Sequence, residues 1–306
     1  MHTSVLLEEA IKYLNLKEDS MIVDATLGYG GHSSEILKRI KRGRLFCFDQ
    51  DKDAIEYSDK RLKSIGNNYQ IIKSNFVHMK EKLEELDILK VDGVLFDLGV
   101  SSPQLDQKER GFSYHQDATL DMRMDQDGSL SAFDVVNAYC KKDLERIFKE
   151  YGESKFASNI AKKIVEYREE KKIESTLELV EIIKTAVPMK FRVQKHPAKQ
   201  IFQAIRIEVN HELDVIEPAI RDSLEMLNIG GRVAVITFHS LEDKLVKKIF
   251  KKMTEIDPKL KGMPNISKEL LPDYQLVVNK VLPKKEEVER NKRARSATLR
   301  VIERIK

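Results

Sequence analysis

Four short apolar runs, each bounded by polar residues or glycine, constrain the fold of this chain more than any other feature. They are Met21–Asp24, Arg44–Asp49, Tyr69–Lys73 and Val91–Asp97, and helical patterns separate them at 33–40, 53–65 and 76–86. Strands that alternate with helices build parallel βαβ units with right-handed crossovers. An amphipathic helix over 5–14, with Thr3 or Ser4 as its N-cap, precedes the first strand. The alternation stops after Asp97. Residues 98–130 are rich in Gly, Ser, Pro, Asp and Gln and too long for an ordinary connection, which marks a functional loop. Wholly helical patterns follow at 132–139, 141–151, 154–170 and 175–186, ended by Pro188. Two more, at 198–211 and 213–227, are stopped by Gly230-Gly231, and strand signals return at 232–238, 274–282 and 296–303. The simplest topology is an α/β doubly wound sheet interrupted once. Residues 1–105 plus 205–306 form the sheet domain, and 106–204 form an inserted, mostly helical domain.

Composition narrows the class. A chain of 306 residues buries roughly 75% of its extended surface and needs no structural metal. No stretch approaches the ~18 consecutive apolar residues of a membrane span, and residues 1–16 lack an apolar signal core. Cys47 and Cys140 are far apart and in no metal-type spacing, so the protein reads as reduced and cytoplasmic. A net charge of +4 only permits a nucleic-acid partner. Its distribution argues further: cations cluster at 38–44, 189–199 (Lys190, Arg192, Lys195, Lys199 with His196) and 290–300, a pattern that suits phosphate neutralisation.

The most informative segment is IVDATLGYGGHSSEIL at 22–37. A strand ends in Asp24, a turn carries Gly28, Gly30 and Gly31, and a helix begins near His32. Glycine lets a ligand approach the backbone closely. Asp49 lies 21 residues beyond Gly28 at the end of the next strand, placed to accept from both hydroxyls of a ribose. Ser33 occupies the last glycine position of the dinucleotide fingerprint, which favours a nucleoside-type ligand such as S-adenosylmethionine over a pyrophosphate cofactor. Asp97 ends the fourth strand and is followed by Ser101, Ser102, Pro103 and Gln104. Enzymes that methylate exocyclic amines place an Asp/Asn/Ser-Pro-Pro-aromatic loop here; Ser102-Pro103-Gln104 matches it in part, and an ordinary polar turn is the alternative. Phe76 either stacks on an adenine or joins the core. Arg110, Phe112, Tyr114 and Arg123, in a run with several aromatics and Mets, suggest a substrate-facing lid. His239 is either a base or the cap of the following helix. The seven His are scattered, no H-E-x-x-H or G-x-S-x-G occurs, and the pairs Asp49/Asp51 and Asp121/Asp125 read as caps, so no metal or hydrolase site is expected. A nicotinamide-dependent oxidoreductase and a non-catalytic RNA-binding module are the rivals left open.

Eight segments carry a specific resemblance: HTSVLLEEAI (2–11), DATLGYGGHS (24–33), FDQD (48–51), DLGVSSPQLD (97–106), RGFSY…LDMRMD (110–125), FQAIRIEVNHEL (202–213), GGRVAVITFHSLED (230–243) and RARSATLRVIER (293–304). In this order they resemble the ribosomal RNA small-subunit methyltransferase H family of bacteria, over essentially the whole chain. The resemblance implies a class I S-adenosylmethionine-dependent methyltransferase (a Rossmann-like doubly wound sheet) with an inserted helical domain. It implies methylation of the N4 amine of a P-site cytosine in 16S ribosomal RNA, within the 30S subunit and the bacterial cytoplasm, and it leaves a homodimer open. Its cofactor residues fall on Gly30, Gly31, His32, Asp49, Phe76, Asp97 and Gln104. The strand-end loop read above, Asp97 with Ser101, Ser102 and Pro103, is expected to place the target amine. One departure is visible: Gln200 and Ile201 stand where the family more often has Arg-Thr.

Overall fold

The apolar runs pair side by side in a computed structural model that describes residues 4–192, 196–258 and 266–306. Helix α1 (Leu7–Leu14) leads into β1 (Met21–Asp24), α2 (Gly31–Leu37), β2 (Arg44–Asp49), α3 (Lys52–Lys63) and β3 (Tyr69–Lys73). A 3-10 turn at Phe76–His78 runs into α4 (Met79–Glu84) and β4 (Val91–Asp97). Then come α5 (Ser102–Asp106), α6 (Ala132–Ala138), α7 (Lys141–Glu150), α8 (Ala157–Glu170), α9 (Thr176–Ala186), α10 (Met189–Arg192) and α11 (Ala198–Asn210). The chain closes with α12 (Ile216–Met226), β5 (Leu227–Thr237), α13 (Ser240–Thr254), β6 (Tyr274–Val281), α14 (Lys285–Arg290) and β7 (Thr298–Arg304).

The sheet order is β3-β2-β1-β4-β5-β7-β6. Strands β1 to β5 are mutually parallel, and β7 runs antiparallel between β5 and β6. This is a doubly wound sheet with one antiparallel strand, β7, set between its last two neighbours. Side chains alternate across it. Val23, Phe46, Phe48, Val94, Phe96 and Val235 face α4, α12 and α13, while Ile22, Leu45, Cys47, Leu95, Ala234 and Ile236 face α1, α2 and α3. Both faces are covered, which is why these strands read as continuous apolar runs.

The chain divides into two compact units, Met1–Gly99 with Leu213–Lys306, and Val100–Glu212. The second is helical, with Val135, Leu144, Phe148, Ile160, Ile183 and Ile205 in its core. A Cβ on Gly152 would lie 2.7 Å from the Phe148 carbonyl and 2.9 Å from that of Gln200, so the end of α7 rests directly on α11.

Three local readings change. Helix α1 starts at Leu7, and its N-cap is Leu6, with φ of 52° and no side-chain cap. Ser4 therefore does not cap it, and Thr3 lies outside the described residues. The Leu6 N–H instead donates to Glu287 Oε1 at 2.8 Å, a partner far along the chain. Gly230-Gly231 does not precede β5 but lies within it, where the register against β4 slips between Val91 and Gly93. The segment after Asp97 holds α5 and a 3-10 turn at Lys108–Arg110 rather than plain loop.

Candidate active site

Doubly wound sheets bind ligands at the carboxyl ends of their strands where the order reverses. Here that point lies between β1 and β4, and Asp24, Asp49 and Asp97 end β1, β2 and β4, three neighbouring strands. Burial raises the pKa of all three, because it disfavours the charged form. Asp24 and Asp49 are each pushed up to about 6. Asp97 is raised well above the carboxylate range, first by burial and then by the nearby charges of Asp24 and Glu242.

The glycine turn is held from several sides. Asp49 Oδ2 accepts from Gly28 N–H at 2.8 Å and Oδ1 from Asp51 N–H at 2.9 Å. A carboxylate has about four lone-pair sites, so acceptor capacity remains. Ser58 and Arg61 of α3 donate to the carbonyls of Gly28 and Tyr29 at 2.7 and 3.0 Å. Gly30 has φ of +70°, and a Cβ there would stand 3.1 Å from Ser58 Oγ. A Cβ on Gly31 would fall 1.8 Å from Ser4 Oγ. Asp24 works from beneath, accepting from Ser33 Oγ at 2.6 Å and Thr26 N–H at 3.2 Å. Thr26 Oγ1 in turn accepts from Asp97 N–H at 2.6 Å. Phe76 is half-buried and meets Phe96 edge-on at 5.5 Å, so it joins the core while keeping one side outward.

His32 and Asp97 form the centre of the arrangement. Burial pushes His32 down to about 4, so its ring is neutral. Its Nε2 lies 3.2 Å from the Val5 carbonyl, which can only accept, so Nε2 carries the proton. Nδ1 then presents a lone pair to Asp97 Oδ2 at 3.4 Å. Two acceptors face each other there unless the carboxyl holds a proton, in keeping with its raised pKa. Asp97 Oδ1 is buried with no hydrogen-bond partner among the described residues. A buried acceptor without a donor is costly, and a ligand's N–H or ammonium would relieve it. The methionine end of S-adenosylmethionine carries such an ammonium, so these residues fit that group.

In the helical unit, Ser101 caps α5, its Oγ accepting from Gln104 N–H at 3.4 Å while Gln104 Oε1 accepts from Ser101 N–H at 3.0 Å. Pro103 occupies the first turn, and Ser102 opens the helix. Two residues expected to face substrate do not. Arg110 is 7% exposed, its guanidinium donating to the Arg123 and Met124 carbonyls, and Phe112 is buried in the helical core. Their local sequence is polar, but a guanidinium that meets backbone carbonyls can be buried. Arg123 grips Asp121 bidentately at 3.0 and 2.7 Å and also bonds the Gly128 carbonyl. Tyr114 remains half-buried, stacked on His196 at 5.0 Å and beside His115 at 4.2 Å.

A family model of MraW methylases matches residues 1–305. The chain belongs to the MraW methylase family. The ribosomal RNA small subunit methyltransferase H of Streptococcus mutans serotype c is 53% identical over 310 residues, spanning 100% of this chain and 98% of its own length. Among solved structures, an rRNA methylase from Streptococcus thermophilus aligns with a TM-score of 0.45 at 11% identity, covering 100% of this chain and 99% of its own. A Streptococcus mutans protein in complex with SAH aligns at 0.44 and 14%, covering 99% of each chain. At TM-scores below 0.5 neither likeness bears on what this methylase does.

The methylase's cation clusters are less free than the sequence suggests. Lys38 and Arg39 pair with Glu35, and Arg42 with Glu18. Arg300 is buried against Asp243 and Asn279. Lys190 and Lys199 are exposed, and Lys195 lies outside the described residues. At the departure from the family pattern, Gln200 donates to the Glu153 carbonyl at 3.3 Å and Ile201 is fully buried. Sequence reasoning missed Thr26, Ser33, Ser58 and Arg61, whose roles depend on which strand end or turn they reach. No helix among the described residues is long and apolar enough to cross a membrane.

Proposed function

We propose that this methylase moves a methyl group from S-adenosylmethionine to the exocyclic N4 amine of a P-site cytosine in bacterial small-subunit (16S) ribosomal RNA. The observation that carries the reading is the buried, unpartnered Asp97 Oδ1 at the sheet's reversal point, in a chain 53% identical to a ribosomal RNA small subunit methyltransferase H. Gly30, Gly31 and His32 surround the methionine end with Asp97, Asp49 takes the ribose hydroxyls, and Phe76 and Gln104 complete the adenosine side. When bound, the donor supplies an electrophilic methyl group on a sulfonium that is already a good leaving group. The protein's task is then orientation, which supplies most of the rate. Asp97 and the Ser101, Ser102 and Pro103 segment aim the amine's lone pair, and the helical unit recognises the RNA, with Tyr114 as a base-stacking surface and Arg123, through its grip on Asp121, shaping the segment beside it. The substrate is the 30S particle in the cytoplasm, and light scattering decides between a monomer and a homodimer.

Incubation of labelled S-adenosylmethionine with unmethylated small subunits, followed by mapping of the product base, tests the reading. Label on the N4 position of one cytosine supports it; label elsewhere or nowhere rejects it. Asp97→Ala loses donor binding in calorimetry, and a variant that binds normally removes Asp97 from the site.

A further inference from the structure

The strand end beside Asp97 holds a second polar pair. Ile236 of β5 pairs in register with Asp97, so the residues that leave β5 emerge one strand over from it. The second of them, His239, opens α13 with its side chain only 10% exposed. Neither nitrogen of its ring makes a well-formed hydrogen bond, yet Nε2 lies 3.1 Å from Glu242 Oε1. Glu242 is 1% exposed, and its other oxygen accepts from the backbone N–H groups of Phe238 and His239 at 2.8 and 3.1 Å. A Cβ on Gly99, two residues past Asp97, would stand 3.9 Å from Glu242 Oε1. The buried carboxylate thus lies beside the strand end where the amine is to be placed.

The pair also forms the capping box of α13, with Glu242 at the third helical position accepting from the His239 N–H. The usual N-cap is Ser, Thr, Asp or Asn, and His239 brings an imidazole to the position instead. Glu242 offsets the cost of its burial with the two backbone N–H groups on Oε2, while its Oε1 faces Nε2 of the His239 ring. We infer that His239 takes the proton that the target amine loses, and that Glu242 holds its ring in place. The inference rests on the reading of the enzyme as an amine methyltransferase. As the N4 lone pair forms the new C–N bond, the C–S bond breaks and its electron pair stays on the sulfur, which leaves as a neutral thioether. The nitrogen, now positively charged, gives one N–H proton to a ring nitrogen of His239. Glu242 balances the imidazolium until water carries the proton away. Glu242 is a positioning residue here, since it acts through the ring.

The full-length wild type, His239→Ala, His239→Gln and Glu242→Gln are compared by calorimetry with S-adenosylmethionine and by single-turnover transfer to unmethylated small subunits. Both His239 variants are expected to bind the donor within about twofold of wild type and to transfer about 10²–10⁴-fold more slowly, the usual contribution of a general base. Added imidazole restores part of the rate of His239→Ala and leaves the wild type unchanged. Glu242→Gln keeps an oxygen for the two backbone donors, and its smaller loss falls on kcat rather than KM. Transfer by His239→Ala near the wild-type rate overturns the inference. So does a loss that comes with weakened donor binding and no imidazole rescue, because that is the signature of a cap. A wild type that leaves cytosine unlabelled overturns the functional reading, and the inference with it.

Discussion

Asp24→Asn isolates the cost of the charge buried under the glycine turn. Asp24 is 1% exposed and its pKa rises from 3.8 to about 6, chiefly through burial. Because the folded pKa is the higher one, the native state holds a proton that the unfolded chain has released, and stability falls as pH rises from about 4 to about 6. A shift of about two units at 1.36 kcal/mol each makes the full loss about 3 kcal/mol above that window. The amide of the variant carries no charge at any pH. Its carbonyl can still accept from Thr26 N–H, and Ser33 Oγ, 3.4 Å from Cys47 Sγ, has another partner for its proton. Urea unfolding of both proteins at about pH 4 and about pH 8 gives two stability differences. Their difference should be about 2–3 kcal/mol in favour of the variant at the higher pH, and any fixed packing cost of the substitution cancels. A gap that stays constant with pH would show that Asp24 ionises without cost and refute the argument. Asp24 also raises the pKa of Asp97 through its charge. The same variant should therefore ionise Asp97 at a lower pH and extend donor binding into more acid solution.

Asp49, pushed up to about 6, should accept from a ribose best when ionised, so donor affinity measured by calorimetry weakens below that pH. The part of this dependence that Asp49→Asn abolishes belongs to Asp49; an unchanged profile in that variant would exclude it. Arg300→Met strips the bidentate partner from Asp243, whose side chain is 29% exposed, so the loss in denaturant unfolding should be about 1–3 kcal/mol. Arg300→Lys should recover only part of that, since it restores the charge without the fork. Gly43→Ala places a Cβ 2.0 Å from the Ser20 carbonyl, a backbone atom that cannot swing away. Its melting temperature should drop by an amount equal to about 1–3 kcal/mol or more of overpacking strain.

What could be read in advance was whatever repeats along the chain. The four parallel strands showed themselves because both faces of the sheet are covered, so every residue from Leu45 to Phe48 had to be apolar. The acids that end three of them, Asp24, Asp49 and Asp97, stood out for the same reason, as the polar residues that close an apolar run. Contacts between distant segments left no such mark. Nothing near Leu6 announces that Glu287 will receive its N–H, and nothing near Arg300 announces Asp243, 57 positions away. Arg110 looked like a surface residue because its partners, the carbonyls of Arg123 and Met124, are backbone atoms that any sequence would supply. Gly230-Gly231 looked like a helix stop because a slip in strand register has the same glycine signature as a turn. The neutralisation of Lys38 and Arg39 was within reach, since Glu35 sits three and four residues before them on one helical face.

The placement of the helical unit within the chain has a consequence for how the sheet forms. Strands β4 and β5 are hydrogen-bonded neighbours, yet the whole of Val100–Glu212 separates them in sequence. Drawing two strands together across so much unordered chain is slow, because the entropy of the loop is lost before the pairing returns anything. Inside the helical unit, Asn210 accepts from Met124 N–H and donates to the Met122 carbonyl, bonds that span 86 and 88 residues. Once they form, the intervening residues no longer count as slack. The unit then acts as a clasp that shortens the loop the sheet must close, and mutations that loosen Asn210 would reach the active-site strands as a slower search for each other.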